Sequence, residues 1–324
     1  MHRKHPSAHD GAPVLSVCIV NFNTCSDLDK CLNSILNSES SITFEVIVVD
    51  NASQDGSVEM VRNKYPWVHL IINTVNRGFA AANNQALIAS CGRYMLLLNP
   101  DTIVHPGALD SLVQFMDAHP DAGGIGPKLL NADGSLQYSC RAFPTLIAGM
   151  FRNTPLDRLF PSNPFSREYL LADHDHNEPM EVDWVSGAAM MVRREVLQTV
   201  GMLDEDYFMY CEDMDWCWRM RQVGWKVYYV PTAVITHTIG RSSDQVLVPV
   251  LYHRHRSMLR FYLKNYRRRY PLIFAPLIIL GIGLRLGGAL TYVAYQRFSH
   301  KWRQLILHAK TPNDRKENQS ANRC

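Results

Sequence analysis

Residues 14–65 read VLSVCIVNFNTCSDLDKCLNSILNSESSITFEVIVVDNASQDGSVEMVRNKY. Two apolar runs, VLSVCIV and FEVIVVD, alternate with two helical patterns, SDLDKCLNSILNS and DGSVEMVRNKY. The alternation continues through VHLIIN, GFAAANNQALIAS and YMLLLN to about His119. Continuous apolar strands between amphipathic helices predict an α/β fold, a doubly wound, mostly parallel sheet covered on both faces. Such a sheet binds its ligand beyond the carboxyl ends of the strands. Here those ends carry Asn21 and Asn23 after VCIV, Asp50 after VIVV, and Asn99 with Asp101 after MLLL.

Composition sets the class. A chain of 324 residues, 47% hydrophobic and 19% charged, is globular and well supplied with core. A formal charge of +3 is too small to argue for nucleic acid, and the basic residues crowd into the C-terminal third. Eight cysteines include no CxxC pair, and several sit inside apolar runs, which predicts buried free thiols in a reducing compartment. The start, MHRKHPSAHDGAP, lacks the apolar core of a signal peptide, so a cytoplasmic protein is expected.

The second half is less regular. Asn131 to Gly134 reads as a hairpin-like turn, and Pro144 to Pro179 as loop with short elements. VDWVSGAAMMV (182–192) and an acidic helix follow, and WKVYYVPTAVITHT reads as two β runs broken at Pro231. The expected boundaries are a polar tail (1–13), a main domain (14–250, with halves 14–120 and 121–250), a basic and apolar helical region (251–309) and a polar tail (310–324).

Asp50 alone reads equally well as a turn or cap residue. Asp50 together with Asp101 converges on one crevice, as a base-reading acceptor near a metal-binding acid. NRGFAAANNQA (76–86) offers Gly78 for close backbone approach and Arg77 for a phosphate. In HTIGRSS (237–243), His237 at a strand end can complete a divalent-cation site with Asp101. FMYCEDMDWCWRMR (208–221) packs Glu212, Asp213 and Asp215 among Met, Cys and Trp. First-turn acids and an i,i+4 Asp215–Arg219 pair suit any helix. Trp216, Cys217, Trp218 and Met220 leave no broad solvated face, however, so at least one acid lies against buried aromatic surface.

VCIVNFNT, VIVVDNASQDGS, NRGFAAANNQA, LLLNPDTIV, VSGAAMMVRRE, FMYCEDMDWCWR and HTIGRSS occur in this order over roughly residues 14–245. With them the chain resembles the family-2 glycosyltransferases of GT-A fold, within them the bacterial rhamnosyltransferase-like branch. The resemblance implies a nucleotide-sugar donor, Mg²⁺ or Mn²⁺, a carboxylate base and inversion at the anomeric carbon. Carried over by position, Asp50 accepts from the pyrimidine, while Asn21, Asn23, Asn76, Arg77, Gly78 and Asn99 line the nucleotide. Asp101 and His237 meet the metal, and Asp213 is the base. Glu212 and Asp215 orient the acceptor, the base or Arg219, and Trp184 and Gly187 shape the acceptor pocket. The family's commonest metal motif has an acid at both ends; here Asn99 replaces the first, leaving one fewer anionic ligand. The resemblance favours dTDP-L-rhamnose as donor, with another nucleotide sugar such as UDP-galactofuranose as the alternative. It favours a polyprenyl-diphosphate-linked saccharide as acceptor, in O-antigen-like cell-surface polysaccharide synthesis. A nucleotidyltransferase would need a glycine-rich, Lys-bearing signature that VNFNTCSDLDK does not provide. A silent scaffold subunit would be expected to lose Asp101, Asp213 or His237, and all three are present.

LYHRHRSMLRFYLKNYRRRY (251–270) holds seven Lys or Arg and no acid, with Arg256, Arg260, Lys264 and Arg267 or Arg268 spaced as a helical stripe. PLIFAPLIILGIGLRLGGALTYVAY (271–295) is apolar apart from Arg285. A central Arg costs about 2.5–3.5 kcal/mol on insertion scales. With the glycine breaks, this favours a helical hairpin or interfacial amphipathic element over a spanning helix. The basic stretch gains about 1 kcal/mol per charge from anionic lipid. A peripheral or interfacial place on the cytoplasmic side of the plasma membrane is therefore expected.

Overall fold

The computed structural model describes residues 11–152, 154–238, 247–266, 273 and 275–309. Strands β1 (Leu15–Asn21), β2 (Phe44–Asp50), β3 (His69–Ile72) and β4 (Tyr94–Leu98) are connected by α1 (Cys25–Leu36), α2 (Ser57–Lys64) and α3 (Phe79–Ala89). They pair in parallel in the order β3-β2-β1-β4, with Asn21 in register with Asp50. The runs are apolar throughout because both faces are covered. Val17, Ile19, Val46 and Val48 pack with Leu28, Leu32 and Ile35 of α1. Cys18, Val20, Ile47 and Val49 pack with Ala80, Ala82, Ala86 and Leu87 of α3.

The second half extends this sheet through β5 (Thr102–Val104), β6 (Ala122–Leu130) and β7 (Leu136–Gln137), with α4 (Ala108–Ala118) after β5, while β8 (Cys140–Arg141) belongs to a separate two-stranded sheet. Short helices α5 (Leu146–Phe151), α6 (Pro155–Leu159) and α7 (Pro164–Tyr169) fill the stretch read as loop with short elements. Then come β9 (Met180–Val182), β10 (Trp184–Val185), β11 (Ala189–Arg193), α8 (Arg194–Thr199), α9 (Glu212–Gln222) and β12 (Lys226–His237). The expected mostly parallel central sheet is present, and β11 runs antiparallel between β4 and β6. This reversal brings the amino end of β11 to the carboxyl end of β4, where Asn99 N donates to Ala188 O at 2.9 Å. The Asn131–Gly134 turn closes a β6–β7 hairpin, with Gly134 at φ 83. The two runs expected around Pro231 form one strand instead. Its register to β6 shifts between Val230 and Val234, an irregularity that accommodates a residue without an N–H.

Among the described residues the cysteines are free, and Cys18, Cys31, Cys140 and Cys217 are buried.

The expected boundary at 250 falls inside α10 (Leu247–Phe261), which ends in a π turn, Tyr262–Tyr266. Phe261, Tyr262 and Tyr266 join the same core cluster as Trp216 and Met220 of α9. The basic stripe is also divided. Arg260 pairs with Asp204 at 2.9 Å and with Asp206 at 2.5 Å, and Lys264 pairs with Asp204 at 2.7 Å and with Asp215 at 2.9 Å. Burial alone would raise the Asp204 carboxyl, but Lys264 and Arg260 override it and hold it at about 2. Two positions of the stripe therefore serve the protein, Arg256 is exposed, and Arg267 and Arg268 lie outside the described residues.

No hairpin forms between residues 275 and 309. Helix α11 (Ala275–Ala309) is continuous, because Gly281, Gly283, Gly287 and Gly288 each cost a helix only about 1 kcal/mol relative to Ala and force no turn. Its stretch Ala275–Tyr295, with a mean hydropathy of 1.8, is long and apolar enough to cross a membrane by length and composition. Leu277, Leu280 and Leu284 stand out from the protein. Arg285 does not accompany them, since its Nη1 donates to Gly149 O of α5 at 3.4 Å.

Candidate active site

A cavity of about 280 Å³ opens at the carboxyl ends of the strands, lined by Asn99, Asp101, Gly187, Glu212, Asp213 and His237, among others. Asp101 lies just past β4 and His237 closes β12, where it pairs in register with Thr102. His237 Nε2 stands 3.3 Å from Asp101 Oδ1. The ring is oriented from behind. Gln137 Nε2 donates to Asn131 Oδ1 at 2.9 Å and to His237 O at 3.2 Å, which leaves Gln137 Oε1 to accept from His237 Nδ1 at 2.7 Å. A proton on Nδ1 leaves the lone pair on Nε2, toward Asp101. Asn99 Nδ2 lies 3.4 Å from the same nitrogen, and Asn99 Oδ1 is buried without a hydrogen-bond partner among the described residues. A carboxylate, an imidazole lone pair and an orphaned amide oxygen together fit a divalent cation. Among the described residues no cluster of three or more His, Cys, Asp or Glu surrounds the position. A cation here would take its remaining ligands from water and a bound diphosphate.

Opposite this pair stand the carboxylates of α9. The chain enters the helix through Tyr210 and Cys211, at φ 67 and 66, left-handed conformations that non-glycine residues adopt at a cost. Asp213 Oδ2 accepts from Gly187 N at 2.8 Å, and Oδ1 accepts from Met214 N at 2.8 Å. A Cβ on residue 187 would lie 3.3 Å from Asp213 Cβ, so glycine permits this close approach. Burial raises the Asp213 carboxyl, against the pull of the Gly187 and Met214 amides. Glu212 is only 4% exposed and its Oε2 has no hydrogen-bond partner among the described residues. Burial first, then the neighbouring Asp213 charge, push Glu212 well above the usual carboxylate range. A buried acid and a half-buried one next to it cannot both ionise cheaply. Glu212, raised further and without a donor on Oε2, is the member that favours the proton, and Asp213, with two amide donors, is the one that favours the charge.

The other expected residues divide between the cavity and its supports. Asn76 and Gly78 line the cavity, and at φ 85 a Cβ on Gly78 would fall 2.6 Å from Phe208 O. Arg77 is exposed and does not line it. Asp50, Asn21 and Asn23 lie behind it and knit the loops after β1 and β2. Asp50 accepts from Asn21 Nδ2 and from Ser53 N, both at 2.9 Å, and Asn23 Oδ1 accepts from Gln54 N at 2.7 Å. Asn51 lines the cavity beside them, donating to Asn76 Oδ1 at 2.8 Å and accepting from Arg77 N at 2.9 Å. Trp184 is buried outside the cavity, donating to Ala142 O at 3.0 Å. Asp215 is fully buried away from it, held by Arg219, Lys264, Asn265 and Tyr207; of its expected partners it orients Arg219. The sequence reading missed Asn51, although VIVVDNAS contains it, and missed Phe208, Pro249, Val250 and His253, all of which line the cavity.

A mostly parallel sheet with an Asp–His pair at its strand ends and a Glu–Asp pair at the start of α9 fits a glycosyltransferase of GT-A type. Residues 16–201 match the family model for glycosyl transferase family 2, and the chain belongs to that family, in its rhamnosyltransferase-like branch. It is 33% identical over 263 residues to an N-acetylglucosaminyl-diphospho-decaprenol L-rhamnosyltransferase of Mycobacterium tuberculosis (strain CDC 1551 / Oshkosh), covering 76% of this chain and 83% of the relative. It is 30% identical over 152 residues to the rhamnosyltransferase WbbL of Escherichia coli (strain K12), covering 44% of this chain and 52% of the relative. The mannosyltransferase PcManGT from Pyrobaculum calidifontis, solved with GDP-Man and Mn²⁺, shares the fold at a TM-score of 0.51 and 19% identity, covering 93% of this chain and 82% of that one. GalNAc-T7, solved with UDP, GalNAc and Mn²⁺, does so at 0.56 and 16%, covering 80% and 50%.

The raised Glu212 carboxyl gives stability a definite pH dependence. From the ordinary value of 4.5 upward, the unfolded chain releases a proton that the folded protein keeps, so stability falls as pH rises toward the folded value. Glu212→Gln removes this loss. Its melting temperature relative to wild type is expected to rise between pH 4 and pH 8, and an offset equal at both pH values would contradict a raised Glu212.

Proposed function

We propose that this glycosyltransferase moves L-rhamnose from dTDP-L-rhamnose, with inversion, onto a polyprenyl-diphosphate-linked saccharide. The observation that carries the mechanism is Asp213, anchored by Gly187 N–H and facing the same cavity as Asp101 and His237. Asp213 takes the proton of the acceptor hydroxyl as its oxygen bonds to the anomeric carbon and the carbon–diphosphate bond breaks on the opposite side. Glu212, whose carboxyl burial favours in its protonated form, then adds no further charge beside Asp213. Asn51, Asn76 and Gly78 line the side where the nucleotide diphosphate rests, and Asp50, Asn21 and Asn23 order those loops. Asp50 would meet a pyrimidine N–H only with the lone pairs that Asn21 and Ser53 leave. Asp101 and His237, with Asn99, would hold Mg²⁺ or Mn²⁺, which when bound neutralises charge on the departing diphosphate. The donor and acceptor are proposed from the mycobacterial relative's name and extent of match. The exposed apolar face of α11 supports attachment to the plasma membrane, on the cytoplasmic side where the sugar nucleotide is available, for cell-surface polysaccharide synthesis.

Incubated with dTDP-L-rhamnose and N-acetylglucosaminyl-diphospho-polyprenol, the protein is expected to release dTDP and form a rhamnosylated lipid only when both substrates and Mg²⁺ or Mn²⁺ are present. Turnover of UDP-galactofuranose with none of dTDP-L-rhamnose would reassign the donor, and full activity in excess chelator would remove the cation. Deletion of residues 275–324 is expected to abolish co-sedimentation with anionic lipid vesicles while leaving α10 and the cavity in place. Unchanged sedimentation would contradict the assignment of α11 to the membrane.

A further inference from the structure

The cavity has a wall that lies beyond the matched family region, which ends at residue 201. Pro249, Val250 and His253 of α10 form it together with Phe208 and Met209. His253 stacks on Phe208, with ring centroids 4.2 Å apart and planes 23° off parallel. Its Nδ1 is buried and has no hydrogen-bond partner among the described residues. The helix cannot drift from this position freely. Ser257 Oγ donates to Met209 O at 2.8 Å, one turn from His253, and Arg260 and Lys264 fasten the next turns to Asp204 and Asp215.

A buried ring nitrogen without a partner is costly unless something meets it. His253 lines the cavity, and a ligand bound there is the candidate to meet the ring. The cavity's chemistry is divided: Asn51, Asn76, Asn99, Asp101 and His237 form a polar pole suited to a nucleotide diphosphate, whereas the α10 wall is apolar and aromatic around one imidazole. A flat apolar surface edged by one hydrogen-bonding group is how a sugar ring is held, its C–H face on the wall and its hydroxyl or amide edge on the polar group.

We propose that His253 is a contact for the acceptor saccharide, holding its ring against the Phe208–His253 wall with the attacking hydroxyl toward Asp213. The assignment rests on the transferase reading above and adds to it the residue that receives the acceptor. Burial, with Arg256 beside it, lowers the imidazole's affinity for protons, so one ring nitrogen accepts and the other donates, which suits a sugar edge.

The test compares His253→Ala and His253→Gln with wild type, using dTDP-L-rhamnose and N-acetylglucosaminyl-diphospho-polyprenol. Losing one hydrogen bond and its stacked ring is expected to raise the acceptor KM about tenfold in the alanine variant. The dTDP affinity measured by calorimetry should stay near wild type. Glutamine, which keeps a donor and an acceptor, should recover part of the KM. An unchanged acceptor KM in both variants would overturn the proposal, as would a matching loss of dTDP affinity, which would put His253 on the donor side. Wild-type turnover of this acceptor separates the two levels. If wild type fails to use it, the transferase reading falls and the His253 assignment with it; if wild type turns over and the variants match it, only the His253 assignment falls.

Discussion

One contact governs the arrangement of the site: the backbone N–H of Gly187 donating to Asp213 Oδ2 at 2.8 Å. A carboxylate in an apolar pocket is unstable without donors, and Asp213 has two, both main-chain amides. Glu212 has none on Oε2, and burial pushes its carboxyl well above the usual range. The surrounding chain is arranged to make that contact possible. Residue 187 has no Cβ, Tyr210 and Cys211 take left-handed conformations, and the loop they form is held from outside by Ser257 of α10. Within the Glu212–Asp213 pair the charge is thus favoured on Asp213, the member with amide donors.

The sheet explains how two distant segments reach this contact. Parallel strands β1, β2 and β4 end on one side, and β11, running against them, begins on that side, so Gly187 arrives beside Asn99 and Asp101. β12 returns parallel to β6 and delivers His237 to the same edge. The polar pole and the acidic pole are therefore fixed by hydrogen-bonded strands on one side and by the start of one helix on the other.

Much of this was legible in the residues. Strands buried on both faces must be apolar throughout, so β1, β2 and β4 were visible as runs, and their polar ends as candidates. Asp101, His237, Asp213, Glu212, Gly187, Asn76, Gly78 and Asn99 do line one cavity. What escaped were tertiary facts. Asp50 carries the charge that draws the eye, yet its neighbour Asn51, just past the end of β2, lines the cavity. Arg260 and Lys264 read as a lipid-facing stripe because their partners, Asp204 and Asp215, come from about 50 residues earlier. For the same reason nothing local marked His253 as part of a site. The glycines of 281–288 suggested breaks, but a helix tolerates them when no turn is otherwise favoured.

The most direct measurement is the steady-state kinetics of Asp213→Asn, read beside its donor affinity. The amide is nearly isosteric and cannot take the proton, so kcat is expected to fall by about 10²–10⁴ while nucleotide binding and melting temperature stay near wild type. Transfer at near wild-type rate by this variant would contradict Asp213 as the base, and with it the meaning assigned to the Gly187 contact.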